Sequence, residues 1–402
     1  LIHRKGAEAR RIFMIFMKKL LLLFIVCFPV VAFSQPGCSY NNRSSFFGER
    51  SVQLSAAPAN TARIFMDKFG YYYPELFIPD AELENNCSSL KEWYRSNEKK
   101  LSRLCEQYKV SNALPVDEKI EALDDSIAAS YIAMINAKAK SFRVVDVLVH
   151  GFRKRAYGKK DKVSTYSIDD YQSFERVLPE AAGAILFVEV YWDSKFITPI
   201  GSYKYKGFEL FEQAGIPNAE HVGLQLRKVI PSIQCDHINI ITHSLGAKVG
   251  CELLFNASKG VLPNESKLAC PGQKDIRLCL IEPAISPDVF NEYYSRTGAF
   301  DYKAKDRYRL GIVYNENDFV LLKSYNFGAV HIISSPLEYG NTALGCNYKG
   351  CIPELKKLFL EKYPNSVFYE PFDFSSLGSD HRLYRYSVSE KFTKVNEFLN
   401  ME

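Results

Sequence analysis

Thr242-His243-Ser244-Leu245-Gly246 follows directly on the apolar run Ile238-Asn239-Ile240-Ile241 and opens into Ala247-Lys248-Val249-Gly250. The order is strand, sharp turn, helix, which is what a nucleophile elbow requires. A serine hydroxyl is a poor nucleophile at neutral pH, so a chain that uses one must hold it clear of the backbone, beside a base and beside donors for an oxyanion. Gly246 supplies the small residue two places after the serine, whereas the position two before it, usually glycine, is Thr242. Taken alone, the pentapeptide also reads as a helix N-cap, since serine before an apolar helical stretch is a common cap. The rest of the chain decides between the two by what it offers as base, acid and oxyanion hole.

Working outward, short apolar runs alternate with longer amphipathic ones from residue 140 onward. The runs are 144–149, 185–190, 238–241, 276–281 and 308–313, with 366–369 last, and helices are expected over 205–231, 246–257 and 388–399. That alternation is the signature of an α/β fold with a largely parallel sheet covered by helices. Residues 258–275 and 324–363 resist assignment, and long excursions of that kind often form lids or pocket walls. No internal repeat or low-complexity tract occurs.

His150-Gly151-Phe152 directly follows the first strong strand. In this architecture the loop there donates one backbone N–H to the oxyanion and the residue after the nucleophile donates the other, which points to Phe152 and Leu245. The base must be a histidine downstream of Ser244, and only His331 and His381 lie there. His331 sits within Ala329-Val330-His331-Ile332-Ile333, a strand-like apolar segment, whereas His381 follows the last strand in the polar loop Ser376-Leu377-Gly378-Ser379-Asp380. The loop is where a general base belongs, so His381 is the candidate. The acid should follow the preceding strand, where Tyr314-Asn315-Glu316-Asn317-Asp318 stands; Asp318 is the first choice and Glu316 the reserve. His243 is expected to pack or shape the pocket, because a side chain next to the elbow serine points away from its hydroxyl.

With these residues in place, 140–402 resembles an α/β-hydrolase domain, and more narrowly the bacterial esterase/lipase-like hydrolases catalogued as a domain of unknown function. The likeness is carried by His150-Gly151-Phe152, Trp192-Asp193-Ser194, Thr242-His243-Ser244-Leu245-Gly246, Asn317-Asp318-Phe319-Val320-Leu321, Leu344-Gly345 and His381. That group commonly has Trp-Pro-Ser where this chain has Trp-Asp-Ser. The resemblance implies Ser244 as nucleophile, His381 as base and Asp318 as acid, with His150, Gly151, Trp192, His243 and Gly246 lining or supporting the site. It implies no cofactor and no metal.

The beginning of the chain differs in kind. Met17-Lys18-Lys19 precedes an apolar run over 20–33 broken only by Pro29, and Ala32-Phe33-Ser34 follows with small residues at cleavage spacing. Residues 1–34 are therefore read as upstream residues and a secretory signal peptide, with export to the periplasm or medium after cleavage near Ser34. The run is short for a membrane span, although an uncleaved anchor is the alternative. Residues 35–139 form a mainly helical extension or cap in this reading, with 116–139 carrying Ile120, Leu123, Ile127, Tyr131, Ile132 and Ile135 at helical spacing.

Composition bounds the partners. The 402-residue chain is 47% apolar and carries a net charge of +5, enough apolar content for a substantial core. Residues 1–34 hold six basic side chains against Glu8, the same excess as the whole chain. The remainder is near neutral, without the basic footprint of a nucleic-acid or anionic-membrane binder. Of ten cysteines, Cys27 lies in the leader, leaving an odd nine in a compartment that permits disulfides. Cys346 with Cys351 and Cys87 with Cys105 are the expected pairs. No Cys-x-x-Cys or close Cys/His spacing suggests zinc.

The resulting expectation is an exported serine hydrolase acting on a small-molecule or lipid ester through an acyl-enzyme. The alternatives are a catalytically silent hydrolase fold used for binding, and a lipase or phospholipase.

Overall fold

The computed structural model describes residues 57–74, 89–152, 167–178, 185–194, 211–235, 237–255, 275–289, 308–322, 324–327, 330–333 and 342–400. All of them belong to the larger of the chain's two units, Arg43–Glu402. The expected leader, Cys87 and the segment 258–274 lie outside the described residues. No helix among the described residues is long and apolar enough to cross a membrane.

The strands of the main sheet are β1 (Thr61–Met66), β2 (Val144–Val149), β3 (Ile185–Trp192), β4 (His237–His243), β5 (Asp275–Ile281) and β6 (Tyr308–Tyr314). The short β9 (Val367–Phe368) and β10 (Phe372–Asp373) complete it, and β7 (Ser324–Phe327) pairs with β8 (Val330–Ile333) in a separate antiparallel ladder. The order is β1-β3-β2-β4-β5-β6-β10, with β9 also on β6, and every pairing in it is parallel. Central strands such as Val144-Val145-Asp146-Val147-Leu148-Val149 run almost continuously apolar because helices cover both faces of a parallel sheet. This mostly parallel, helix-flanked sheet, with an elbow after β4, is the α/β-hydrolase fold expected from the sequence.

The helices are α1 (Leu90–Ser96), α2 (Glu98–Gln107), α3 (Val116–Ala139), α4 (Ser167–Val177), α5 (Ile216–Leu226, entered through a π-turn at Phe211–Gly215), α6 (Gly246–Phe255), α7 (Ile352–Lys362), α8 (Leu383–Ser387) and α9 (Phe392–Asn400). Local chemistry sets their ends. Ser89 caps α1 by accepting from the Glu92 N–H, and α3 carries Asp117 and Glu118 in its first turn and Lys138 in its last, matching the helix dipole.

One departure lies upstream of residue 140. The stretch read as mainly helical does hold α1 to α3, but it also contributes β1 to the main sheet, with α3 packed on β1 and β3. The register sets Arg63 opposite Glu189, and their side chains pair at 2.6 Å, with Glu189 buried and Arg63 half-buried. A charged residue in mid-strand hides the apolar pattern from a local reading, and only the distant partner strand explains it.

The cysteine expectation is also corrected. Cys346 and Cys351 are free thiols, and so is Cys105. Cys346 Sγ faces the Thr342 and Ala343 carbonyls at 3.7 and 3.5 Å, and Cys351 Sγ faces Ala343 O at 3.6 Å. Left-handed Asn347 and Lys349 between them shape a turn in which both sulfurs address the same stretch of backbone instead of each other.

Candidate active site

The carboxyl ends of β2, β4, β5 and β6 and the loop before α8 converge on one point. Ser244 closes β4 with φ +54°, a left-handed conformation costly for a residue with a Cβ. Its N–H donates to Ile281 O at 3.0 Å, and its carbonyl accepts from Ala247 and Ala284 N–H at 3.1 and 3.0 Å, so neighbouring backbone fixes the strained turn. Two glycines give it room. A Cβ on Gly151 would lie 2.8 Å from Ser244 Cβ, and one on Gly246 would lie 2.6 Å from Val149 O. Thr242, where glycine is usual, is accommodated from the helix side: a Cβ on Gly250 would come within 2.9 Å of its methyl group.

The three candidate catalytic residues meet. His381 Nε2 lies 3.1 Å from Ser244 Oγ, and His381 Nδ1 lies 2.5 Å from Asp318 Oδ2. Asp318 is fully buried, and its other oxygen accepts the Val320 and Leu321 N–H groups at 2.7 and 3.0 Å. Burial alone would raise the Asp318 pKa, yet His381 and these hydrogen bonds hold it below the usual carboxylate value. The reserve, Glu316, instead accepts from Asn347 Nδ2 at 3.0 Å in an exposed turn. His331 lies in β8, outside the main sheet.

Beside the serine, His150 supports the loop expected to hold an oxyanion. Its Nδ1 lies 2.9 Å from Gly151 O and must carry the proton, while Nε2 accepts the Trp192 N–H at 3.2 Å. Trp192 Nε1 returns a hydrogen bond to His150 O at 3.0 Å, and the two rings stack at 5.7 Å. Both ring nitrogens of His150 are thus engaged in holding shape. Phe152 packs edge-on against Phe211, and a Cβ on Gly215 would lie 3.0 Å from the Phe152 ring and 3.2 Å from the Leu245 side chain. Phe152 and Leu245 therefore border one space, and among the described residues no backbone carbonyl accepts the Leu245 N–H.

The structure adds a residue that the sequence reading passed over. Glu282, immediately after β5, is fully buried, has φ +45°, and brings Oε2 to 3.2 Å from His381 Nδ1 and 3.7 Å from His243 Nε2. Its Oε1 hydrogen-bonds Tyr386, whose hydroxyl also donates to Asp380 O at 2.8 Å and accepts from Asn315 Nδ2 at 2.8 Å. Asn315 Nδ2 in turn reaches Gly378 O at 2.8 Å, pinning the His381 loop. A carboxylate placed after a strand lying between those of the nucleophile and the acid is the signal that could have found Glu282, because ligands and chemistry gather at such carboxyl ends.

Burial would lower the His381 pKa, but the Asp318 carboxylate outweighs it and raises it above the ordinary histidine value. Burial, with Asp318 close by, pushes the Glu282 pKa well above the ordinary carboxylate range, which favours its neutral form and leaves Asp318 as the full negative partner of the imidazole. His243, Glu282 and His381 place three ligand-type atoms within 4.8 Å of one another. His243 Nε2, however, donates to His381 O at 3.0 Å, and a nitrogen that carries a proton holds no metal.

No family model and no curated protein matches the chain. Among solved structures it is similar to esterase B from Lactobacillus rhamnosis, at 10% identity over 64% of this chain and 75% of that one, with a TM-score of 0.33. It is also similar to the siderophore hydrolase EstB from Aspergillus nidulans, at 12% identity over 64% and 82% of the two chains, with a TM-score of 0.30.

Proposed function

We propose that the protein is a serine hydrolase that cleaves carboxylic esters through an acyl-enzyme. The observation that carries the reading is the continuous line from Ser244 Oγ through His381 to Asp318, with spacings of 3.1 and 2.5 Å, at a serine held in left-handed backbone. In the first half-reaction His381 Nε2 takes the Ser244 proton as Oγ attacks the acyl carbon. The tetrahedral oxyanion is received by the Phe152 and Leu245 N–H groups, and His381 returns the proton to the departing alcohol. Water, deprotonated by His381, then attacks the acyl-Ser244 ester and restores the hydroxyl. Asp318 keeps Nδ1–H in place and stabilises the imidazolium.

The same residues count against a silent binding fold. A binding module has no need of a strained serine aligned on a histidine whose far nitrogen already meets a buried carboxylate. Turnover of p-nitrophenyl esters of graded acyl length tests the reading. Hydrolysis by the wild type and its loss in Ser244→Ala supports it, whereas equal rates in both contradict it. Because the Asp318 carboxylate raises the His381 pKa, the rate is expected to climb with pH through a limb above the ordinary histidine value of about 6.5.

The leader belongs to the same proposal: residues 17–34 direct export. Mature protein from the source cell that begins near Gln35 would support this, and retention of Met17 would contradict it.

A further inference from the structure

We propose that Glu282 is a second orienting carboxyl for His381, able to accept the Nδ1–H when Asp318 is absent. The inference rests on the hydrolase reading above and deepens it. Two carboxyl oxygens surround one imidazole nitrogen, Asp318 Oδ2 at 2.5 Å and Glu282 Oε2 at 3.2 Å. Asp318 holds the shorter contact, and Glu282 Oε2 is the buried second oxygen beside the same nitrogen.

Hydrogen-bond counting assigns the resting state of Glu282. The Tyr386 hydroxyl has a single proton and two oxygens within reach, the Asp380 carbonyl and Glu282 Oε1. A carbonyl can only accept, so both contacts are hydrogen bonds only if Glu282 carries its own proton on Oε1. Like charges at this separation cannot both persist in a buried site, which is why one acid of the pair keeps a proton. The groups facing Glu282 are His243 at the end of β4, Asp318 after β6, and His381 and Tyr386 near the C-terminus. Removing the Asp318 charge leaves His243 and His381 as the basic groups beside it. Glu282 then releases its proton to solvent, and its carboxylate accepts from Nδ1. Its left-handed backbone stores strain at this point, as Ser244 does one strand away.

The test must respect the bonds that Asp318 makes. Its Oδ1 is held by the Val320 and Leu321 N–H groups, so Asp318→Asn would put its carbonyl there and turn its NH2 toward His381. That forces the wrong tautomer whatever Glu282 does. Asp318→Ala removes the carboxylate without imposing a donor.

The measurement is the rate of Ser244 modification by a fluorophosphonate in the full chain, from pH 5 to 9, for the wild type, Asp318→Ala, Asp318→Asn, Glu282→Gln and Asp318→Ala/Glu282→Gln, with thermal melts to confirm folding. Asp318→Ala is expected to lose no more than about 100-fold, and Asp318→Asn and the double variant on the order of 10⁴-fold. Glu282→Gln alone is expected to lose less than Asp318→Ala. Asp318→Ala should also gain rate with pH as Glu282 ionises, a limb absent from the double variant. A 10⁴-fold, pH-independent loss in Asp318→Ala overturns the proposal, and this profile suffices should Glu282→Gln fail to fold. If wild-type Ser244 is not modified at all, it is the hydrolase reading that fails.

Discussion

Two sets of buried polar side chains sit on the same sheet and are built on opposite rules. Toward the amino ends of the strands, Asp146, Asn239 and Arg277 lie side by side in register on β2, β4 and β5. Asn239 Nδ2 donates to Asp146 at 2.7 Å and to Leu399 O at 3.1 Å, while Arg277 reaches the same carbonyl at 2.6 Å. Donors face acceptors, although Asn239 Oδ1 finds no partner among the described residues, and together the donors satisfy an orphan carbonyl in the last turn of α9, where a cation also suits the helix dipole. At the carboxyl ends, Asp318 and Glu282 are alike and converge on one imidazole. Complementary partners lock a structure, whereas like groups in competition leave a proton ready to move.

The largest expected effect falls on the competing set. His381→Ala should reduce fluorophosphonate modification of Ser244 by roughly 10⁶-fold while the melting temperature stays near that of the wild type, because a reactive serine without its base retains only its surroundings. A residual rate within tenfold would show that the serine draws no activation from His381. Next comes the locking set. Arg277→Ala leaves Leu399 O and the Asp146 carboxyl without their cation, and denaturant unfolding should register a loss of about 3–5 kcal/mol. Molecules that remain folded should react at the wild-type rate, and a parallel loss of reactivity would mean that the two sets are coupled.

Gly151→Ala probes the boundary of the site. Its methyl group would meet Ser244 Cβ at 2.8 Å and His243 O at 2.9 Å, so the serine must move. A rate loss of about 100-fold in a folded protein is expected, since displacements near 1 Å carry that cost. Asp146→Asn sharpens the comparison through pH. Burial raises the Asp146 pKa to about 7 despite Asn239 and Arg277. A folded value above the unfolded one means that stability from this group is complete below about pH 4 and is lost as pH rises through about 7. The wild type should lose on the order of 4 kcal/mol more than Asp146→Asn between pH 4 and pH 8 in unfolding titrations. An equal loss in both would remove Asp146 from the account.

How far the sequence reveals these features depends on how local their causes are. Ser244 and Asp318 each follow a strong strand and His381 a loop after two short ones, and chain order alone singles out three residues that the structure brings together. Glu282 follows a strand just as clearly, but Ile281-Glu282-Pro283 has no local pattern of its own, and its meaning comes from His381 about a hundred residues later. β1 is hidden for a related reason, because Arg63 makes sense only opposite Glu189. Cys346 and Cys351 mislead in the opposite direction. They are near in sequence, yet the turn between them aims both thiols at backbone carbonyls. The smallest expected effect follows: alkylation of unreduced, denatured protein should modify both cysteines fully, and protection of the pair would restore the disulfide reading.

Whether Ser244 is an activated nucleophile separates a working hydrolase from a silent fold. Peptide mass spectrometry of the full chain after exposure to a fluorophosphonate measures this directly. The expected result is one phosphonyl adduct per molecule, located on Ser244 and absent from His381→Ala; a folded wild type that takes up no adduct, or takes it up elsewhere, would contradict the account.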